Sequence, residues 1–164
     1  MNSKALDSFT GNKIVFEELI ELVNNVSAGQ KDLMMRLLIV SLAAFWEAFH
    51  EDLCRETVSR YPNPKAERAI AMFHNPISKN IKRLYKDALV IPDITTSWWG
   101  NTKYKTGKSP AEFGAIIDHM MDLRHDTAHG QWKGNVSAKD CMDFLFTTFH
   151  LAIGTDEYVV SLYP

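Results

Sequence analysis

The sequence predicts an all-α fold, a helical bundle forming one domain over residues 1–164, and three observations carry that prediction. Apolar residues recur at helical spacing through most of the chain. No convincing set of alternating strands can be drawn, and prolines and glycines gather between the periodic stretches. With 46% hydrophobic and 23% charged residues, the 164-residue chain has ordinary globular usage and enough length to bury a core without disulfides or a structural metal.

Five main helices and one short one follow in order. The first is expected over 13–26, where Phe16, Leu19, Ile20 and Val23 form its apolar face and Ser27-Ala28-Gly29 supplies a stop. The second, over 31–59, is long and central. Leu38, Leu42, Phe45, Phe49 and Leu53 make one stripe on it, and Ile39, Ala43, Trp46 and His50 cover another face. Tyr61-Pro62-Asn63-Pro64 ends it, because each proline disfavours helix in the residue before it. A short helix over 65–73 precedes another over 76–89, which begins with Pro76 in the tolerated first turn.

Residues 91–107 carry Pro92, Trp98-Trp99-Gly100 and lysines, and read as a long irregular loop. The next helix has a marked start in Ser109-Pro110-Ala111-Glu112: a capping serine, a proline in first position, and a glutamate three residues after the cap. Phe113, Ile116, Ile117, Met120 and Met121 give its inward face, and Gly130 stops it. The last helix is capped by Ser137, carries Met142, Leu145, Phe146, Phe149 and Ile153, and is expected to break or bend near Gly154. Tyr158-Val159-Val160-Ser161-Leu162 fits a terminal strand or a helix continuation equally well.

The formal net charge is −2, which does not announce a nucleic-acid binder, but it is unevenly spread. Lys79, Lys82, Arg83, Lys86, Lys103, Lys105 and Lys108 against Asp87 and Asp93 give residues 79–108 a net +5, leaving −7 on the rest. A basic segment on an acidic body hints at a polyanion partner; the plainer reading is a solvated helix face followed by a lysine-bearing loop. Cys54 and Cys141 both fall in helical patterns and are expected as buried reduced thiols. With no run of about 20 apolar residues and no apolar stretch resembling a leader in the first seven residues, the cytoplasm is the expected compartment, with no membrane partner.

The segment Arg124-His125-Asp126-Thr127-Ala128-His129 at the end of the capped helix concentrates the chemistry. Arginine offers a permanent forked set of donors for phosphate oxygens, and histidine gives or takes a proton near neutral pH. Five residues on a regular helix turn about 140°, so Arg124 and His129 share a site only if the last turn loosens before Gly130. The plainer reading pairs Arg124 with an internal carboxylate and makes His129 a capping residue at the negative end of the helix dipole. Glu47, a lone acid after a ten-residue run interrupted only by Ser41, either orients Arg124 or His129 across a helix pair or sits at the solvent edge.

His125 and His129 stand four apart, but without a nearby cysteine or an H-E-x-x-H glutamate no metal is expected, and no cofactor is called for. Asp126 either positions His125 or caps backbone groups, and His50, His74, His119 and His150 read as ordinary histidines. Trp98, Trp99 and Tyr104, interleaved with Lys103, Lys105 and Lys108, either form a stacking and phosphate-contacting surface for single-stranded RNA or fold the loop back onto the bundle. Neither cysteine nor any serine sits in an activating context for nucleophilic hydrolysis.

Met121-Asp122-Leu123-Arg124-His125-Asp126-Thr127-Ala128-His129-Gly130 resembles the Arg-x4-6-His signature of the HEPN superfamily, with His125 as the polar residue after the arginine and an Ala-His ending at Ala128-His129. The stretch from Leu42 to Leu53, with Trp46-Glu47 at its centre, further resembles a helix of the RiboL-PSP-HEPN group. The resemblance implies a bundle that homodimerises and brings two motif copies to a shared cleft. It implies a metal-independent endoribonuclease, with Arg124 on the scissile phosphate and His129 moving protons, or a non-catalytic module of the same fold that holds RNA, nucleotide or protein. By family association it implies toxin–antitoxin or phage-defence roles, with an antitoxin or nucleotidyltransferase as partner.

Overall fold

The computed structural model describes residues 2–100 (99 and 100 as backbone only), 108–133 and 136–164. The chain is all-α, with no strand among the described residues. Its helices are α1 (Lys4–Gly11), α2 (Lys13–Val23), α3 (Ala28–Arg60), α4 (Ala66–Ala71), α5 (Ser78–Leu89), α6 (Ser97–Gly100), α7 (Pro110–Ala128) and α8 (Ala138–Leu162), with a 3-10 turn at Ile94–Thr96.

α3 is the axis. At 33 residues it is about 50 Å long, and α1, α2, α4, α5, α7 and α8 all pack against it. It is long and apolar enough to cross a membrane by length and composition; its most apolar stretch is 44% buried by the surrounding helices. Trp46, Ala43 and Cys54 are wholly buried on it, and Phe9 of α1 meets both Trp46 and Phe49 ring to ring. Burying one such large side chain is worth about 1.5–3 kcal/mol. Cys54 and Cys141 are both buried free thiols, and burial pushes each above the ordinary thiol range.

Four sequence expectations change. Helix α1 was not foreseen: Ser3 caps it by accepting the Leu6 amide at 3.0 Å, and its first amides donate to carboxylates of Asp156 and Glu56. Ser27-Ala28-Gly29 does not stop the first helix, which ends at Val23; Ser27 instead caps α3, with Gln30 accepting from its backbone and hydroxyl. Pro76 lies just before α5 rather than in its first turn. The last helix neither breaks at Gly154 nor gives way to a strand, but runs unbroken to Leu162.

The reason for the last change lies in the segment read as an irregular loop. Asp93 accepts from the Thr95 amide and hydroxyl and from Lys82, setting a turn that leads into α6. α6 then lies against α8, where Trp98 is fully buried and donates its indole N–H to Thr155 at 3.2 Å. A mid-helix glycine costs about 1 kcal/mol relative to alanine, and packing over the Gly154 region offsets it.

Candidate functional site

Helix α7 starts as its sequence dictates, with the Ser109 hydroxyl accepting the Glu112 amide at 3.3 Å while Glu112 accepts the Ser109 amide at 2.7 Å. Phe113, Ile117 and Met120 then fall on one buried stripe, and Arg124 is the next position on it. The stripe runs out of core in the last turn, so the guanidinium emerges on the side facing α3. There its Nη2 lies 3.6 Å from Oε2 of Glu47, with the side chains 35% and 19% exposed.

Glu47 joins three elements. Its second oxygen, Oε1, accepts the backbone N–H of Asn75 at 3.2 Å, so one carboxylate ties α3 to the turn between α4 and α5 and to α7. Asn75 holds a left-handed backbone (φ 54), and Asn80 donates to the carbonyls of Asn75 (2.9 Å) and His74 (3.3 Å), fixing the turn. One turn further along α3, desolvation raises the Glu51 carboxyl above its ordinary range; Arg55 opposes this, and Glu47 and Asp52 add to it.

The other end of the motif is held differently. His129 is the residue where α7 stops, and Gly130 follows with φ 67, a conformation open to glycine at little cost. The Gly130 amide donates to the Thr127 carbonyl and the Gln131 amide to the Asp126 carbonyl, closing the helix in a Schellman arrangement. Asp126 therefore serves through its backbone. The exposed rings of His125 and His129 lie 4.2 Å apart between centroids, tilted by 50°. Among the described residues no hydrogen bond or ring contact joins Arg124 to His129.

Beyond the motif, Trp132 donates its indole N–H to Asp32 at 2.5 Å, Arg36 pairs with the same carboxylate at 2.6 Å, and the Arg36 guanidinium lies 5.3 Å from the Trp132 ring centroid. The chain leaving His129 is thereby pinned to the first part of α3. Sequence reading missed Asp32, Arg36, Trp132, Asn75 and Asn80. The Asn75-Pro76 dipeptide was a turn signal that could have found the second group; the four-residue spacing of Asp32 and Arg36 signals a pair on one helix face, but nothing in it points to Trp132.

The structure brings Glu47 to Arg124 and His125 to His129, and it decides for Trp98 between an RNA-stacking assignment and a fold back onto the bundle. Trp98 is enclosed against Thr155, so its indole cannot stack on a base, which corrects that assignment. Lys108 is exposed beside the start of α7 and lines a groove with Phe113 and His119, about 24 Å along the helix axis from Arg124. Lys103, Lys105, Tyr104 and the Trp99 side chain lie outside the described residues.

Held at the rim of the bundle, Arg124 can meet an incoming phosphate from the α3 side, and the two exposed imidazoles can exchange protons with a ligand on their own side of the helix. No family model, curated protein or solved structure matches the chain.

Proposed function

We propose that the chain is a HEPN-type endoribonuclease that cleaves single-stranded RNA without a metal, in the cytoplasm, using a cleft shared by two copies. The observation that carries this reading is that the motif's two groups have different partners within one chain: Arg124 pairs with Glu47 on the α3 side, while the His129 ring lies tilted against His125 and makes no hydrogen bond or ring contact to Arg124 among the described residues. A second copy completes the set, so that Arg124 of one protomer works with His129 of the partner subunit.

The surface for that copy lies beside the site. On α3, Leu33 and Leu37 are 57% and 58% exposed, and with Val40 and Ala44 they form a stripe at helical spacing that runs up to Glu47. Pairing along this stripe carries the two Arg124 side chains toward each other.

In the cleavage step, a ribose 2′-oxygen attacks the adjacent phosphorus and the bond to the 5′-oxygen breaks, leaving a 2′,3′-cyclic phosphate. Arg124 stabilises the charge building on the non-bridging oxygens. Histidine removes the 2′-hydroxyl proton while water protonates the leaving 5′-oxygen, or histidine supplies that proton while water takes the first. Toxin–antitoxin or phage defence, with an antitoxin or nucleotidyltransferase partner, is the setting this activity fits. A non-catalytic RNA-, nucleotide- or protein-binding module of the same fold is the second reading, favoured by the fact that Arg124 already has a carboxylate partner.

The test is incubation of the wild type and His129→Ala with end-labelled single-stranded RNA in chelator. The expected result is cleavage to cyclic-phosphate ends by the wild type alone. Equal cleavage by both, or none by either, removes the catalytic assignment.

A further inference from the structure

A groove of about 530 Å3 lies between α4 and α5. Three cations line it, Lys65, Arg68 and Arg83, against one acid, Asp87. Among the described residues none of the three cations has an ion-pair partner. Met72, 54% exposed, and the buried ring of Phe73 supply its apolar part.

The groove is linked to the motif through the turn between α4 and α5. Asn80 lines it and holds the turn at Asn75, whose amide donates to Glu47, the partner of Arg124. Three successive contacts of 2.9, 3.2 and 3.6 Å thus connect the groove wall to the Arg124 guanidinium.

We infer that this groove binds the backbone of the RNA strand flanking the scissile phosphate, with Arg68 and Arg83 on phosphate oxygens and Met72 against a base. This rests on the ribonuclease reading and deepens it. Two forked guanidiniums on neighbouring helices suit successive phosphates, and an exposed thioether beside them suits a base face. The excess of positive charge sits on a chain of net charge −2, so the groove is a local exception to the molecule's charge.

The test uses His129→Ala protein, which leaves the probe intact, and fluorescence anisotropy with a labelled twelve-nucleotide single-stranded RNA over a salt series. Arg68→Gln/Arg83→Gln is expected to weaken binding about tenfold and to make the slope of log K against log salt shallower by about 1.4, at roughly 0.7 per phosphate contact. Arg68→Lys/Arg83→Lys is expected to keep most of the slope. Lys4→Gln/Lys139→Gln, which removes the same charge outside the groove, is expected to change little. Unchanged binding in the first double variant, or an equal loss in the last, overturns the groove while leaving the ribonuclease reading intact if wild-type protein cleaves. Absence of RNA binding by the parent overturns the groove, and overturns the ribonuclease reading as well only where wild-type protein also fails to cleave.

Discussion

His50 makes a quantitative prediction about acid stability. Its ring is wholly buried beside Trp46, with Nδ1 2.8 Å from the Tyr85 hydroxyl, and desolvation lowers its pKa to about 3. The folded state therefore prefers the neutral ring, whereas the unfolded chain takes up a proton below about 6.5. Between those values the unfolded state binds more protons, so stability present above pH about 6.5 is lost as pH falls toward 3.

Linkage from these two values gives a loss of about 1 kcal/mol by pH 5.5 and about 3 kcal/mol by pH 4.5. Against a typical total of about 5–15 kcal/mol, that is measurable. The assay is urea denaturation of wild type and His50→Asn at four pH values from 7.5 to 4.5. Asparagine cannot titrate, yet keeps a polar atom near the Nδ1 position. Asp156, whose carboxyl burial raises despite its bonds to Ser3, titrates in both proteins and cancels. The variant starts less stable, and the gap should narrow by about 3 kcal/mol across the range. Parallel curves would refute the assignment of a buried neutral histidine.

Three further outcomes follow from the geometry. Val90 ends α5 with φ 58 while 75% exposed, so Val90→Asn should relieve left-handed strain at no packing loss and gain about 1 kcal/mol, seen as a melting temperature higher by about 2–4 °C. Glu47→Gln keeps an acceptor for Asn75 but loses the charge facing Arg124. Because that pair is 3.6 Å apart and reaches solvent, denaturation should show a loss under about 1 kcal/mol, while RNA cleavage falls about tenfold; unchanged cleavage would count against a positioning role. Leu37→Glu puts a charge on the exposed α3 stripe and should leave the fold intact while scattering at micromolar concentration reports monomer instead of dimer.

Much of this arrangement was legible in the sequence where local chemistry decides it. Ser109-Pro110-Ala111-Glu112 fixes the start of α7, and Gly130 fixes its end, through backbone groups only a few residues apart. Glu47 was conspicuous because a lone charge on an apolar helix needs an outlet, and the structure supplies Arg124. Other features escaped because their cause is distant. Helix α1 shows only two turns of pattern and depends on Asp156 and Glu56 to satisfy its first amides. Trp98 looks like a binding aromatic until α8 places Thr155 against it. Gly29 misled because the stronger signal two residues earlier, Ser27 with Gln30, starts a helix rather than ending one. Asp32 and Trp132, a hundred residues apart, are unremarkable until the fold joins them.

The shared cleft is tested most directly by mixing two inactive proteins. Arg124→Ala and His129→Ala are each purified, combined under conditions that exchange subunits, and assayed on labelled single-stranded RNA in chelator. A mixed dimer regains one cleft with Arg124 from one protomer and His129 from its partner. Cleavage absent from either protein alone is expected to return on mixing, with cyclic-phosphate ends. Demonstrated subunit exchange without any return of cleavage would contradict the shared cleft.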